Sequence, residues 1–275
     1  MLNLSGKVES TTAVAGTRVA TQVTASMLRW TSEPNRTNTM FTTNGGQSGT
    51  YVSDHERFIH YVDFTSSPVW IDKSGSPKTW GRGCLITPQN CISAAHFAHV
   101  VGEAIVFRGA DGVLYERTVA SVDTSIGYDV AISELSSALP TAVSFAKMLP
   151  ADADDWISSG DLTAELPIVL IDQDLKLITK QWTGYDTGLY DNKYIVTANE
   201  DDLPGSQYTK TLIAGDSGSA NYIILNGEAV LISCNHLITA GPAYHLLRTE
   251  IDAVLAALGG AYTATTSFSL AGFST

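Results

Sequence analysis

Three short segments of the chain hold side chains that can act on a substrate. Ser93-Ala94-Ala95-His96 follows an apolar run and delivers an imidazole, the side chain that takes and returns a proton near neutral pH. Asp129 heads the strand-like run Val130-Ala131-Ile132-Ser133-Glu134-Leu135. A carboxylate so placed can accept a hydrogen bond from an imidazole Nδ1–H, fix its tautomer and stabilise the imidazolium. Ala214-Gly215-Asp216-Ser217-Gly218-Ser219 sets a serine between glycines. The glycines permit a sharp turn that exposes the hydroxyl and points the Gly215 and Ser217 amides at one spot, as an oxyanion requires. Singly, each segment has an ordinary structural explanation: a satisfied histidine, a turn aspartate, a glycine-rich loop. Together, in the order His, Asp, Ser, they are far more specific and point to acyl transfer through a serine nucleophile.

The elements that must position these side chains are mostly strands. From Phe58 to about Ala243 short apolar runs follow one another, among them Gly83–Thr87, Cys91–Ala94, Ala104–Phe107, Asp129–Leu135, Pro167–Ile171, Tyr194–Ala198, Ser219–Leu225 and Ala229–Ser233. Gly, Pro, Asn and Asp break them at the intervals of an all-β sandwich or barrel, and Asn226-Gly227 reads as a hairpin turn. One helix is expected, over Ala243–Leu258, where Leu247, Ile251, Val254, Leu255 and Leu258 recur at helical spacing and Gly259-Gly260 stop it. Residues 1–54 are rich in Thr, Ser, Asn and Gly, with an alternating stretch at Thr17–Val23 and a turn-prone Asn44-Gly45-Gly46. They read as an extension of extended segments, and residues 259–275 as a polar tail. A chain cut to about residues 55–260 is accordingly expected to keep its fold.

The three segments together resemble the chymotrypsin-like (trypsin-like) serine peptidases, through Ser93-Ala94-Ala95-His96 and Gly215-Asp216-Ser217-Gly218 with Asp129-Val130-Ala131-Ile132 between them. His96 and Asp129 lie 33 residues apart, and Asp129 and Ser217 lie 88 apart, a compact arrangement similar to the bacterial and viral members. The resemblance covers about residues 55–258. It implies an all-β fold of two packed six-stranded antiparallel β-barrels, at about 55–145 and 155–243, closed by the helix at 243–258, with the active site between them. It implies that Ser217 is the nucleophile of a serine endopeptidase, His96 the general base and then acid, Asp129 the orienting carboxylate, and the Gly215 and Ser217 amides the oxyanion hole. The base of the primary pocket would fall on Thr211 and its wall on Ser233, Cys234 and Asn235, a neutral set that disfavours Lys or Arg. His236 beside that wall would reach a polar or acidic substrate side chain. No metal and no cofactor are implied.

The chain departs from the family pattern at three places. Phe97 stands where many members place a cysteine, leaving Cys84 and Cys91, on adjacent hairpin strands, to pair only if their register allows it. Ser219-Ala220 replaces the more usual Gly-Pro. No Arg or Lys followed by an Ile-Val-Gly-Gly-like start precedes the first barrel, so activation by burying a new amino terminus is not expected. Neither the His96/His99 spacing nor the acidic cluster Asp152, Asp154, Asp155 matches a metal-ligand pattern, and the cluster reads as a solvated turn.

Composition narrows the partners. The 275 residues carry 16 Lys and Arg against 28 Asp and Glu, a net charge of −12, with no basic run, which disfavours nucleic acid and anionic membranes. No apolar stretch has the length of a membrane span. A polypeptide substrate is the expected partner. The start of the sequence lacks the apolar region of a secretory signal, so the compartment stays open, with an extracellular or virion-associated protein favoured. The rival reading is an assembly, attachment or virion structural protein built on a peptidase-like fold, whose β-prone ends engage a partner or self-assemble.

Overall fold

The computed structural model describes residues 11–33, 35–43, 50–71, 82–157, 166–186, 188, 190–199 and 206–273. Asn44-Gly45-Gly46 lies outside them. The strands are β1 (Phe41–Thr43), β2 (Val52–Ser53), β3 (Trp70–Ile71), β4 (Cys84–Thr87), β5 (Asn90–Ala94), β6 (Ala104–Arg108), β7 (Leu114–Asp123), β8 (Val130–Leu135), β9 (Lys147–Met148), β10 (Leu166–Ile171), β11 (Leu177–Tyr185), β12 (Tyr194–Ala198), β13 (Ala220–Leu225), β14 (Glu228–Cys234) and β15 (Ala240–Pro242). The helices are α1 (Thr11–Thr31), α2 (Ala153–Ile157) and α3 (Arg248–Leu258).

The protein is mostly β. One six-stranded antiparallel sheet, ordered β3-β6-β7-β8-β5-β4, curls into a half-barrel. The apolar runs at its β5–β4 end are buried on both faces, as the continuous burial of those two strands shows. The other sheet corrects the expectation of a second six-stranded antiparallel barrel. It has seven strands, β15-β12-β11-β10-β13-β14-β9, and β9 joins β14 in parallel through Val230↔Lys147 and Leu231↔Met148. The β13–β14 hairpin leaves an open edge, and the segment after the first sheet satisfies its backbone groups. A continuous core joins the two sheets, with Ile86, Ile92 and Ile132 from one packed in the same cluster as Val169, Tyr222 and Leu231 from the other. The hydroxyl of Tyr222 sits 2.8 Å from Ser67 Oγ and 3.2 Å from Cys84 Sγ, deep in that core.

The pairing Cys84↔Ile92 and Leu85↔Cys91 sets Cys84 and Cys91 one register step apart, so they face opposite sides of the sheet and remain free thiols in separate clusters. The late helix packs Ile251, Val254 and Leu255 inward and ends at Gly259 in the left-handed conformation (φ 74°) that a C-terminal cap favours. Its first expected turn, Tyr244–Leu247, is 3₁₀.

The ends overturn the reading of loose extended segments. Residues 11–31 form α1, on which Val19, Val23 and Met27, spaced four apart, make one stripe that is 0% exposed. The Thr- and Val-rich sequence has a low intrinsic helix preference, and tertiary packing overrides it. Met40 and Tyr51 are buried as well, and so are Phe268, Leu270 and Phe273 of the tail. The tail backbone pairs with Met148, whose N–H donates to Thr266 O (3.0 Å) and whose carbonyl accepts from Phe268 N–H (2.7 Å). The acidic cluster is also more than a solvated turn, because Asp154 Oδ1 accepts from the Tyr185 hydroxyl and lies 3.0 Å from His245 Nε2, tying α2 to β11.

One buried cation makes a testable cost. Lys180 on β11 is 1% exposed, and its ammonium donates to Ile238 O at 3.0 Å. Burial lowers its pKa to about 8, with Asp216 pulling weakly the other way. The unfolded chain therefore binds the proton more tightly, so the penalty is full below pH 8 and fades as pH rises toward 10.5. Lys180→Met is expected to gain stability relative to wild type below pH 8, the gap shrinking by about 3 kcal/mol by pH 10.5. Denaturant melts across that range check it; a pH-independent gap would refute the buried cost.

Candidate active site

The register of β5 against β8 brings His96 and Asp129 together. Ala94 faces Val130, and the next step pairs the Ala95 N–H with Asp129 O at 2.8 Å. His96 therefore begins its short 3₁₀ turn beside the Asp129 carboxylate. Its backbone N–H donates to Asp129 Oδ1 (2.8 Å) and its Nδ1–H to Oδ2 (2.5 Å). The ring is exposed and the carboxylate largely buried, with side-chain exposures of 39% and 12%. Tyr128 and Asp129 both adopt positive φ, 51° and 56°, a strained pair of residues that turns the chain into β8.

Ser217 sits on the loop before β13. Gly83 N–H donates to Gly218 O (2.9 Å), and a Cβ added at Gly218 would lie 3.7 Å from Ala94 N, so the serine loop abuts the end of β5 two residues before His96. The Ser217 hydroxyl makes no hydrogen bond to the His96 ring among the described residues. The loop is held by Asp216, fully buried, which accepts from Gln173 N–H (3.1 Å) and Ile213 N–H (2.9 Å) with Lys210 Nζ at 3.8 Å. The amides of Asp216, Gly218 and Ser219 donate to Ile213 O, Asn235 O and Asp216 O. Those of Gly215 and Ser217 have no hydrogen-bond partner among the described residues. Gly215 has φ 113°, a backbone conformation that strains any other residue, and a Cβ there would also push aside the Gln173 amide, whose Oε1 lies 2.1 Å from that position.

A cavity of about 270 Å³ opens beside Ser217, lined by Leu212, Ile213, Ala214, Asp216, Asn235, His236, Leu237 and Ile238. Of the four sequence-derived pocket residues, Asn235 lines it. Thr211 is exposed, with its hydroxyl 3.5 Å from Asn199 Nδ2, while Ser233 and Cys234 are buried in β14. The wall is Leu212 and Ile213, one and two residues past Thr211, and the exposed Leu237 and Ile238. A larger cavity, about 320 Å³, lies apart from these residues and is lined by Arg57 and Arg108.

His236 belongs to the centre itself more than to a pocket wall. Its Nε2 lies 3.6 Å from Asp129 Oδ2, and its ring centroid is 5.3 Å from that of His96. Its Nδ1 sits 2.7 Å from the Tyr194 hydroxyl, which donates to Tyr128 O at 2.7 Å. Burial lowers the His236 pKa, against the pull of Asp129. Tyr194 and His236 meet across 42 residues through the β12–β15 pairing, which no local sequence signal marks. His99, by contrast, is buried against Ser133 Oγ at 2.9 Å and takes no part in the centre. No protein-family model matches this chain, and no curated protein matches it.

Proposed function

We propose that the chain is a serine endopeptidase of the chymotrypsin-like type, with Ser217, His96 and Asp129 as its triad. The observation that carries this reading is the double hydrogen bond from His96 to one carboxylate, which fixes the Nδ1–H tautomer and leaves Nε2 as the ring's proton acceptor. In the proposed reaction Ser217 Oγ attacks the scissile carbonyl as its proton passes to His96 Nε2. The oxyanion accepts hydrogen bonds from the Gly215 and Ser217 amides. The C–N bond then breaks as His96 returns the proton to the leaving amine, and water, deprotonated by the same nitrogen, hydrolyses the acyl-enzyme. The reading requires the serine hydroxyl to come within hydrogen-bond reach of His96 Nε2, a contact that tightens in such centres when substrate binds. Membrane insertion is no part of the proposal, as no helix among the described residues is long and apolar enough to cross a bilayer.

The cavity lining supports an apolar side chain at the cleaved residue, seated against Leu212, Ile213, Leu237 and Ile238. Two measurements test the reading. A fluorophosphonate should label wild type and fail to label Ser217→Ala. Peptides with Leu or Phe before the scissile bond should be cleaved at least tenfold faster than those with Lys or Asp. Absence of labelling in folded wild-type protein would refute the serine nucleophile, and a preference for Lys would refute the apolar pocket.

A further inference from the structure

The hydrogen bonds around His236 leave one nitrogen without a proton where a proton is wanted. Tyr194 has a single hydroxyl proton, and the Tyr128 carbonyl at 2.7 Å can only accept it. The Tyr194 oxygen must therefore accept from His236 Nδ1–H, also at 2.7 Å. Neutral His236 is thus fixed as the Nδ1–H tautomer, and its bare Nε2 faces the Asp129 carboxylate at 3.6 Å. In this tautomer two acceptors sit 3.6 Å apart with no hydrogen between them, next to a second imidazole whose Nδ1 already touches the same oxygen.

We infer that His96, Asp129 and His236 form a binding site for zinc or a similar divalent transition ion, which switches the proposed triad off. Ligand atoms of all three residues lie within 4.8 Å of one another. Zinc binds imidazole nitrogen and carboxylate oxygen at about 2.0–2.2 Å, which puts two ligands of a tetrahedral ion about 3.4 Å apart. The His236 Nε2 to Asp129 Oδ2 separation, 3.6 Å, already has that span. His96 Nδ1, at 2.5 Å from the same oxygen, draws back by about 1 Å to join, which its exposed position permits. The Tyr194 hydroxyl, accepting from the other ring nitrogen of His236, is the kind of outer contact that orients a ligating histidine. The exposed side of the cluster leaves room for water as a fourth ligand, and the net charge of −12 favours cations near the surface.

The inhibition rests on the proposed function; the binding does not. Coordination at His96 Nδ1 displaces its proton, which passes through water to Nε2. An Nε2–H can no longer accept the Ser217 proton, so metal and catalysis exclude each other.

The test is a zinc titration of full-length Ser217→Ala protein against a chromophoric chelator, with the cobalt(II) absorption spectrum as a second readout on folded protein. One equivalent is expected to bind, with affinity reduced at least tenfold in His236→Ala and in His236→Gln, and cobalt is expected to give the intense visible bands of a four-coordinate site. Absence of stoichiometric binding, or binding unchanged in both His236 variants, would overturn the site. In a separate arm, micromolar zinc should slow fluorophosphonate labelling of wild type, reversibly with EDTA, and leave labelling of His236→Ala at its own zinc-free rate. Protein that binds zinc but never labels would refute the hydrolase and leave the metal site standing. Labelling that zinc does not slow, despite stoichiometric binding, would overturn the switch.

Discussion

Replacing Ser217 or His96 with alanine is expected to lower kcat on a cleavable peptide by a factor of about 10⁴–10⁶, with Asp129→Asn costing about tenfold to a hundredfold less. The asymmetry follows from the roles. In the proposed roles the serine bonds to the substrate carbon and passes its proton to the imidazole, while the carboxylate fixes the tautomer and stabilises the charge that forms. The thermal midpoint of Ser217→Ala should stay close to wild type, since the Ser217 hydroxyl makes no hydrogen bond to His96, whereas His96→Ala should lower it by stripping the Nδ1–H bond from a largely buried carboxylate. Asp129→Asn should lower the midpoint, because its carboxylate accepts two hydrogen bonds from His96. Steady-state kinetics with thermal melts on the same samples decide it. A Ser217→Ala protein with wild-type turnover would remove the serine from the mechanism.

The second large effect concerns the ends. A chain cut to residues 55–260 loses the fully buried Val19, Val23 and Met27 together with Met40, Tyr51, Phe268, Leu270 and Phe273. At about 1.5–3 kcal/mol for each large apolar side chain, the eight together are worth roughly 12–24 kcal/mol as an upper limit. Whole domains are stable by only about 5–15 kcal/mol. The shortened chain is therefore expected to be insoluble or to lack a cooperative melt, contrary to what the Thr- and Ser-rich composition of the ends suggests. A soluble 55–260 chain melting within a few degrees of full length would show that the terminal packing contributes little.

What could be read in advance depended on whether the signal was local. Tyr194–Ala198 has the same bounds in sequence and structure because its β-branched run is closed by turn residues on both sides. The hairpin at Asn226-Gly227 is equally local. Leu114–Asp123 escaped notice because both its faces are partly exposed, so charged residues interrupt any alternation. α1 escaped because four-residue spacing of Val19, Val23 and Met27 is hard to see among threonines that favour strands. The residues of the candidate triad lie within recognisable segments, whereas His236 and Tyr194 become neighbours only through sheet register. The pocket reading missed by a step or two: the wall is Leu212 and Ile213 where Thr211 was expected, a difference that turns a polar cavity apolar.

The buried Asp216 carries a consequence for timing. Its carboxylate is satisfied by the Gln173 and Ile213 amides, with Lys210 Nζ 3.8 Å away, all partners supplied from inside the second sheet and its loops. The serine loop therefore takes its shape when that sheet closes. If the proposed hydrolase is right, fluorophosphonate reactivity during refolding should rise at the same rate as native tryptophan fluorescence, with no slower step that reshapes the serine loop after the sheet has closed.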